Sequence, residues 1–158
     1  EPLQWGGGQE RGLRPGTLPV PLIIGFAKAA ELARSDLASR RRRIERLRNR
    51  LWEGLKQGQP SLLLNGHATA RLPHNLNITI PGVSGSKLHR ALRSRVACSS
   101  GSACSRGEPS HVLMALGRSR QEAEASLRLS LGRSTSDGDI DRAIQAINKV
   151  VHQLRHKA

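Results

Sequence analysis

The sequence predicts an α/β chain whose main body is an α+β domain, a small sheet covered by helices. Three observations carry that prediction. "HNLNITI" (74–80) and "SLRLSLGR" (126–133) alternate apolar and polar residues, the period of a half-buried strand. Longer stretches on either side repeat apolar residues with the 3.6-residue period of a helix. Finally, 158 residues with 37% hydrophobic and 24% charged content suit one globular domain, and neither a disordered chain nor a fibre.

Residues 1–19 are dense in Gly and Pro and predict a loop. From Pro21 to Gly58 the pattern is helical, with Leu37, Ile44, Leu47, Leu51 and Leu55 on roughly one face, and Gly58 and Pro60 end it. "RRRRIERLRNR" (40–50) lies on this helix and reads as a solvated face. Leu62–Leu64 is a short strand stopped by the turn signal Asn65-Gly66. In 74–80, Leu76, Ile78 and Ile80 share one face, and Pro81-Gly82 ends the strand. Ser84 or Ser86 caps a helix that turns Leu88, Ala91 and Leu92 inward. "RVAC" (95–98) reads as a strand leading into a loop. "EPSHVLMALG" (108–117) reads as a helix with Pro109 near its first turn and Gly117 past its end. Ser119 and Glu122 have capping-box spacing for another helix. Leu127, Leu129 and Leu131 then point one way, Arg128 and Ser130 the other. A final helix over Asp139–Arg155 buries Ile140, Ile144, Ile147, Val151 and Leu154.

Charge narrows the function class. Twenty-six Lys and Arg against 12 Asp and Glu give +14 at pH 7, which suggests an acidic partner: nucleic acid, an anionic membrane, an acidic protein or the rest of a larger molecule. A basic nucleic-acid-binding domain is disfavoured, because the chain has only three aromatic residues for stacking and no known nucleic-acid motif. No apolar run approaches a membrane span and no signal peptide is visible, so the cytoplasm, with thiols reduced, is the expected location. The chain begins "EPLQWGGGQERGLRPGTLP", without Met and inside a Gly/Pro-rich stretch, which reads as the interior of a longer protein.

Four features could carry chemistry. Cys104 lies in "SSGSACSRGEPS" (99–110), a run of small residues with Arg106 and His111 nearby, the setting that lowers a thiol pKa; a partly buried, inert cysteine is the alternative. Cys98 and Cys104 are six positions apart, which suits neither a CxxC redox pair nor a zinc knuckle, and no metal is expected. Cys98 reads as core. "SSGSAC" could form an anion-binding nest but lacks the GK[ST] ending of a P-loop. In "GGGQERGLRPGT" (6–17), three glycines permit close backbone approach, and Thr17 with Arg11 and Arg14 could hold an anion; an ordinary surface loop is the alternative. Arg128, on the polar side of a strand whose other face is all leucine, is suited to bidentate carboxylate recognition or is a solvated strand arginine.

Together and in order, "GGGQERGLRPGTLP" (6–19), "LPHNLNITIPGV" (72–83), "SSGSAC" (99–104), "EPSHVLMALG" (108–117) and "LRLSLGR" (127–133) with "STSDGDIDRAI" (134–144) resemble the C-terminal portion of a pyridoxal-phosphate-dependent cysteine desulfurase of the iron–sulfur-cluster and nitrogen-fixation type. "SSGSAC" is similar to the long-loop class of these enzymes. The resemblance implies the small-domain architecture of fold-type I pyridoxal-phosphate enzymes. Residues 1–20 would close the large cofactor domain, 21–58 would form a connecting helix, and 59–158 would form the small domain. It implies that Cys104 receives sulfur from L-cysteine as a persulfide, leaving L-alanine, and that Arg128 binds the substrate carboxylate. It also implies that Thr17 reaches the cofactor phosphate in the other subunit of a homodimer. The implied cofactor is pyridoxal phosphate, held by a lysine outside this chain, and the implied partner is a sulfur acceptor or iron–sulfur scaffold protein. Alone, the segment would be inactive. A stand-alone sulfur-carrier or regulatory module is the alternative. Two departures stand out: Cys104 to Glu108 is about two residues short of the family's spacing, and Pro15 and Pro19 replace less rigid residues.

Overall fold

The computed structural model describes residues 1–99 and 108–156, which form two compact units, Glu1–Leu37 and Ala38–Ala158. The unit boundary falls within the stretch 21–58 expected to be one connecting helix. That stretch is two helices, α1 (Val20–Ser35) and α2 (Leu37–Gly58), separated at Asp36, whose φ of −114° and ψ of 12° leave the helical region.

In the first unit, a 3-10 turn at Gln9–Gly12 precedes α1. Glu10 and Arg11 adopt left-handed φ of 50° and 59°, a conformation uncommon for side chains other than Asn, Asp and His. Lys28 pairs with Glu31 one turn along α1 at 2.9 Å, and no residue of the helix is buried. Four acidic and four basic side chains make this unit neutral, so the +14 surplus lies wholly in 38–158.

In the second unit a three-stranded antiparallel sheet runs in the order β1 (Leu63–Leu64), β2 (Asn75–Thr79), β3 (Ser126–Ser130). The register pairs Leu76 with Leu129 and Ile78 with Leu127 on one face, and Asn75 with Ser130, Asn77 with Arg128 and Thr79 with Ser126 on the other. The side-chain period of two therefore sorts the sheet into an apolar and a polar face, as the alternation predicted. The apolar face joins Ile44, Leu47, Leu51 and Leu55 of α2 and Ile140, Ile147, Val150 and Val151 of α6 (Asp137–Arg155) in one core. Leu88 and Leu92 of α3 (Gly85–Leu92) complete it. Two short helices, α4 (His111–Ala115) and α5 (Arg120–Glu124), lie between α3 and β3 in sequence.

Local signals account for most boundaries. Ser119 and Glu122 form the predicted capping box: Ser119 N–H donates to Glu122 Oε2 at 2.9 Å and Glu122 N–H to Ser119 Oγ at 3.2 Å. A second box, Ser136 with Asp139, starts α6 two residues before its expected beginning. Each N-cap N–H, followed by the Ser hydroxyl, holds its carboxyl below the ordinary carboxylate range. Gly117, at φ 86°, supplies the left-handed residue after α4. That helix is capped by Ser110, so Pro109 precedes it rather than sitting in its first turn.

Two expectations differ from the structure. Residues 96–98 form no strand; pairing there is reduced to an isolated bridge between Ser99 and Arg128. Nor is the arginine-rich face of α2 simply solvated. Arg48 is buried and donates to Asn49 Oδ1 at 2.7 Å, Arg46 reaches Asp137 at 2.7 Å, and Arg50 reaches Asp141 at 2.8 Å. Arg43 donates to the carbonyls of Arg133 and Thr135. Arg46 and Arg50 join α2 to the start of α6, where two aspartates in the first turn already complement the helix dipole.

Gly85 is the tightest point of the packing. A Cβ there would stand 2.0 Å from the Glu124 carbonyl oxygen, a backbone atom that cannot rotate away. Gly85→Ala is therefore expected to cost about 3 kcal/mol and to lower the melting midpoint by roughly 5–10 °C in a thermal denaturation experiment. An unchanged midpoint would show that α3 and α5 can separate freely.

Candidate functional site

The polar face of the sheet presents a row of hydrogen-bonding side chains from residues far apart in sequence. At its buried end, Thr79 and Ser126 hydroxyls meet at 2.7 Å. Asn65, just past β1, donates through Nδ2 to Asn77 Oδ1 at 2.8 Å and to Thr79 Oγ1 at 2.9 Å. Arg118 donates from Nε to Asn65 Oδ1 at 2.6 Å and from a guanidinium nitrogen to the Leu64 carbonyl at 3.0 Å. Asn65, Thr79 and Ser126 are all buried, and a buried polar group left unpaired is costly, so the network is specified tightly.

Arg128 stands at the exposed end of this face. Its main-chain N–H and C=O both pair with Ser99, at 3.0 and 3.1 Å, and its guanidinium donates to Ser99 Oγ at 3.4 Å. The bridge therefore holds the residue that immediately precedes segment 100–107 against the strand that carries Arg128. Cys104 and Arg106 belong to that segment and lie outside the described residues. His111 is exposed at the start of α4.

Cys98 is half-buried against the core, and burial pushes its thiol pKa up. It lines a cavity of about 400 Å³ with His89, Arg90 and Arg93. Burial lowers the pKa of His89, with a hydrogen bond to the Ser126 backbone acting in the opposite direction. A protonated thiol is a weak nucleophile, which suits the core role expected of Cys98.

In the first unit, Thr17 is exposed and its hydroxyl makes no hydrogen bond among the described residues. Its loop is braced from within: Gly16 N–H donates to Gln9 Oε1 at 3.1 Å, and Arg14 donates to the Gly16 carbonyl at 3.2 Å. At Gly16 φ is 100°, which suits glycine. Arg11 is exposed on the same loop.

With this geometry in view, residues 4–143 match the family described as Aminotransferase class-V. The chain belongs to that family. Two curated relatives, both named Cysteine desulfurase IscS, come from Shewanella loihica and from an Anaeromyxobacter species. The first is 45% identical over 98% of this chain and 38% of its own length, the second 46% identical over 95% and 37%. A solved NifS-like protein superposes with a TM-score of 0.83 at 32% identity, over 97% of this chain and 39% of that one. The chain thus spans just over a third of the length of the curated relatives it matches.

The class-V aminotransferase family depends on pyridoxal phosphate. The first unit's loop fits the phosphate end of such a group. An unengaged hydroxyl and the guanidinium of Arg11 are donors, and donors are what a phosphate requires.

Of the predicted site residues, the structure describes Arg128 and Thr17, one in each unit. Reading the sequence did not find Asn65 or Arg118, and it named Ser99 only as part of the segment 99–104. Asn65 was read only as a turn residue and Arg118 carried no motif. They meet across 53 positions, a separation no local spacing reveals.

Proposed function

We propose that this chain is the C-terminal part of a pyridoxal-phosphate-dependent cysteine desulfurase, which converts L-cysteine to L-alanine and leaves the sulfur as a persulfide on Cys104. The observation that carries the reading is the bridge between Ser99 and Arg128. It tethers the start of the cysteine segment beside a cation suited to the substrate carboxylate. The family membership and the names of the relatives support it.

In this reading each residue has one task. Arg128 grips the substrate carboxylate and so orients the β-sulfur. Thr17, with Arg11 on the same loop, holds the cofactor phosphate, in the partner subunit of a homodimer. When bound, pyridoxal phosphate supplies an electron sink, which lets the substrate C–S bond break. The Cys104 thiolate forms an S–S bond to the substrate sulfur, the C–S bonding pair stays with carbon, and that carbon gains a proton. Atoms balance: cysteine and a protein thiol give alanine and a protein persulfide. The persulfide then passes to an acceptor or iron–sulfur scaffold protein, for which the basic surface of 38–158 offers charge complementarity to an acidic face. Residues 1–20 close the cofactor domain, 21–58 connect, and 59–158 form the small domain; the lysine that bonds the cofactor lies outside this chain.

The test takes the protein purified at its native length, with its absorption spectrum and intact mass, and adds L-cysteine without reductant. Alanine and protein-bound persulfide in equal amounts, from material longer than 158 residues with an aldehyde-cofactor chromophore, is the expected result. Sulfur accepted only from a separate donor enzyme, by a chain of this length without a chromophore, would replace the desulfurase reading with that of a sulfur carrier.

A further inference from the structure

We infer that Asn77 is a second carboxylate-binding residue, its side-chain amide donating to the same substrate carboxylate as Arg128; the inference rests on the carboxylate role proposed for Arg128. Three observations lead there.

First, the hydrogen-bond chain fixes which way the Asn77 amide points. An arginine has donors only, so the atom of Asn65 that meets Arg118 Nε at 2.6 Å is the carbonyl oxygen. The other end of the Asn65 amide is therefore its NH₂, and the atom of Asn77 that it meets at 2.8 Å must accept. That atom is Oδ1, which leaves Nδ2 of Asn77 as the free end. Nδ2 makes no hydrogen bond among the described residues. Thr79 Oγ1 and Ser126 Oγ, hydroxyls that can donate or accept, also lie within reach of the same Asn65 amide, so it is the donor-only Arg118 that sets its direction.

Second, Asn77 and Arg128 are direct cross-strand partners on the same sheet face. Both main-chain groups of Arg128 turn away from β2 towards Ser99, while the Asn77 carbonyl accepts from Asn65 N–H at 2.9 Å on the opposite side. Asn77 and Arg128 are thus a non-hydrogen-bonded pair, the kind in which Cα atoms approach to about 4.5 Å and side chains are closest. Third, Asn77 is only half-buried and Arg128 is exposed, so a ligand can reach this pair from solvent.

A guanidinium and an amide NH₂ on cross-strand neighbours are within the span of one carboxylate once the Arg128 side chain leaves its long contact to Ser99, and a donor to a charged group discriminates strongly against analogues lacking the charge. Arg118 and Asn65 touch no ligand in this arrangement; they are positioning residues that hold the Asn77 amide in its orientation.

The test uses Asn77→Thr in the native-length holoenzyme. Threonine suits a strand and keeps an oxygen to accept from Asn65, but it removes the NH₂ and adds no charge beside Arg128. KM for L-cysteine and the dissociation constant for L-alanine, measured by calorimetry, are each expected to rise about tenfold. The inhibition constant of cysteamine, which lacks the carboxylate, is expected to stay within twofold, as is kcat, and the melting midpoint to stay within about 2 °C. An unchanged KM with Arg128→Ala still impaired would overturn the role of Asn77 and leave that of Arg128 standing. Unchanged values in both variants would remove the carboxylate reading of Arg128, and the inference with it. An equal loss for cysteamine would mark general distortion of the face and equally end the assignment.

Discussion

A Cys104→Ser variant of the native-length protein is expected to form no persulfide from L-cysteine and no alanine above background, with its cofactor absorbance intact. The effect is large because the step needs a sulfur nucleophile: a thiol near cations ionises close to neutral pH, whereas a serine hydroxyl without an adjacent base does not. The spectrum separates a chemical role from a structural one. Loss of the chromophore would make Cys104 a structural residue, and unchanged alanine formation would place the acceptor sulfur elsewhere. Cys98→Ser is the control, expected to leave persulfide formation unchanged, because Cys98 is half-buried with its thiol pKa pushed up.

Arg128→Ala is expected to raise KM for L-cysteine about a hundredfold, the loss of a charge-assisted contact worth roughly 3 kcal/mol, with a much smaller change in kcat. The fold should tolerate it. The exposed side chain adds one 3.4 Å contact to Ser99 Oγ, while the main chain of residue 128 carries the bridge to Ser99. Steady-state kinetics with a thermal melt distinguishes the outcomes: an unchanged KM removes the carboxylate role, and a lowered midpoint would show that the guanidinium also braces the sheet. Arg128→Lys should recover only part of the loss, since an ammonium is a point charge and cannot grip a carboxylate with two parallel donors.

Much of the fold was legible in the sequence because its signals are local. The alternation of 74–80 and 126–133 placed two strands and sorted their faces, while the register that pairs Leu76 with Leu129 and Asn77 with Arg128 came from the structure. Capping chemistry placed the start of α5, and Gly117 the end of α4. Where a boundary rests on tertiary contacts, the pattern misled. Val96 and Cys98 look like a strand because they are apolar, yet they pack against the core and the pairing with β3 stops at the single bridge of Ser99 to Arg128. The arginine run reads as solvated because charge runs usually are; Asp137 and Asp141, some 90 residues on, bind part of it.

The sequence by itself determined the family's ordered motifs, the two-faced sheet and the identity of Arg128, Thr17 and Cys104 as candidates. Each is written in residues close together in the chain, where a period of two or a short motif suffices to read it. Only the tertiary structure decided that Arg118, Asn65 and Asn77 form one directed chain of hydrogen bonds ending beside Arg128. Donor and acceptor direction depends on which atoms meet, and those meetings are made by strands and loops that the core brings together from distant parts of the chain.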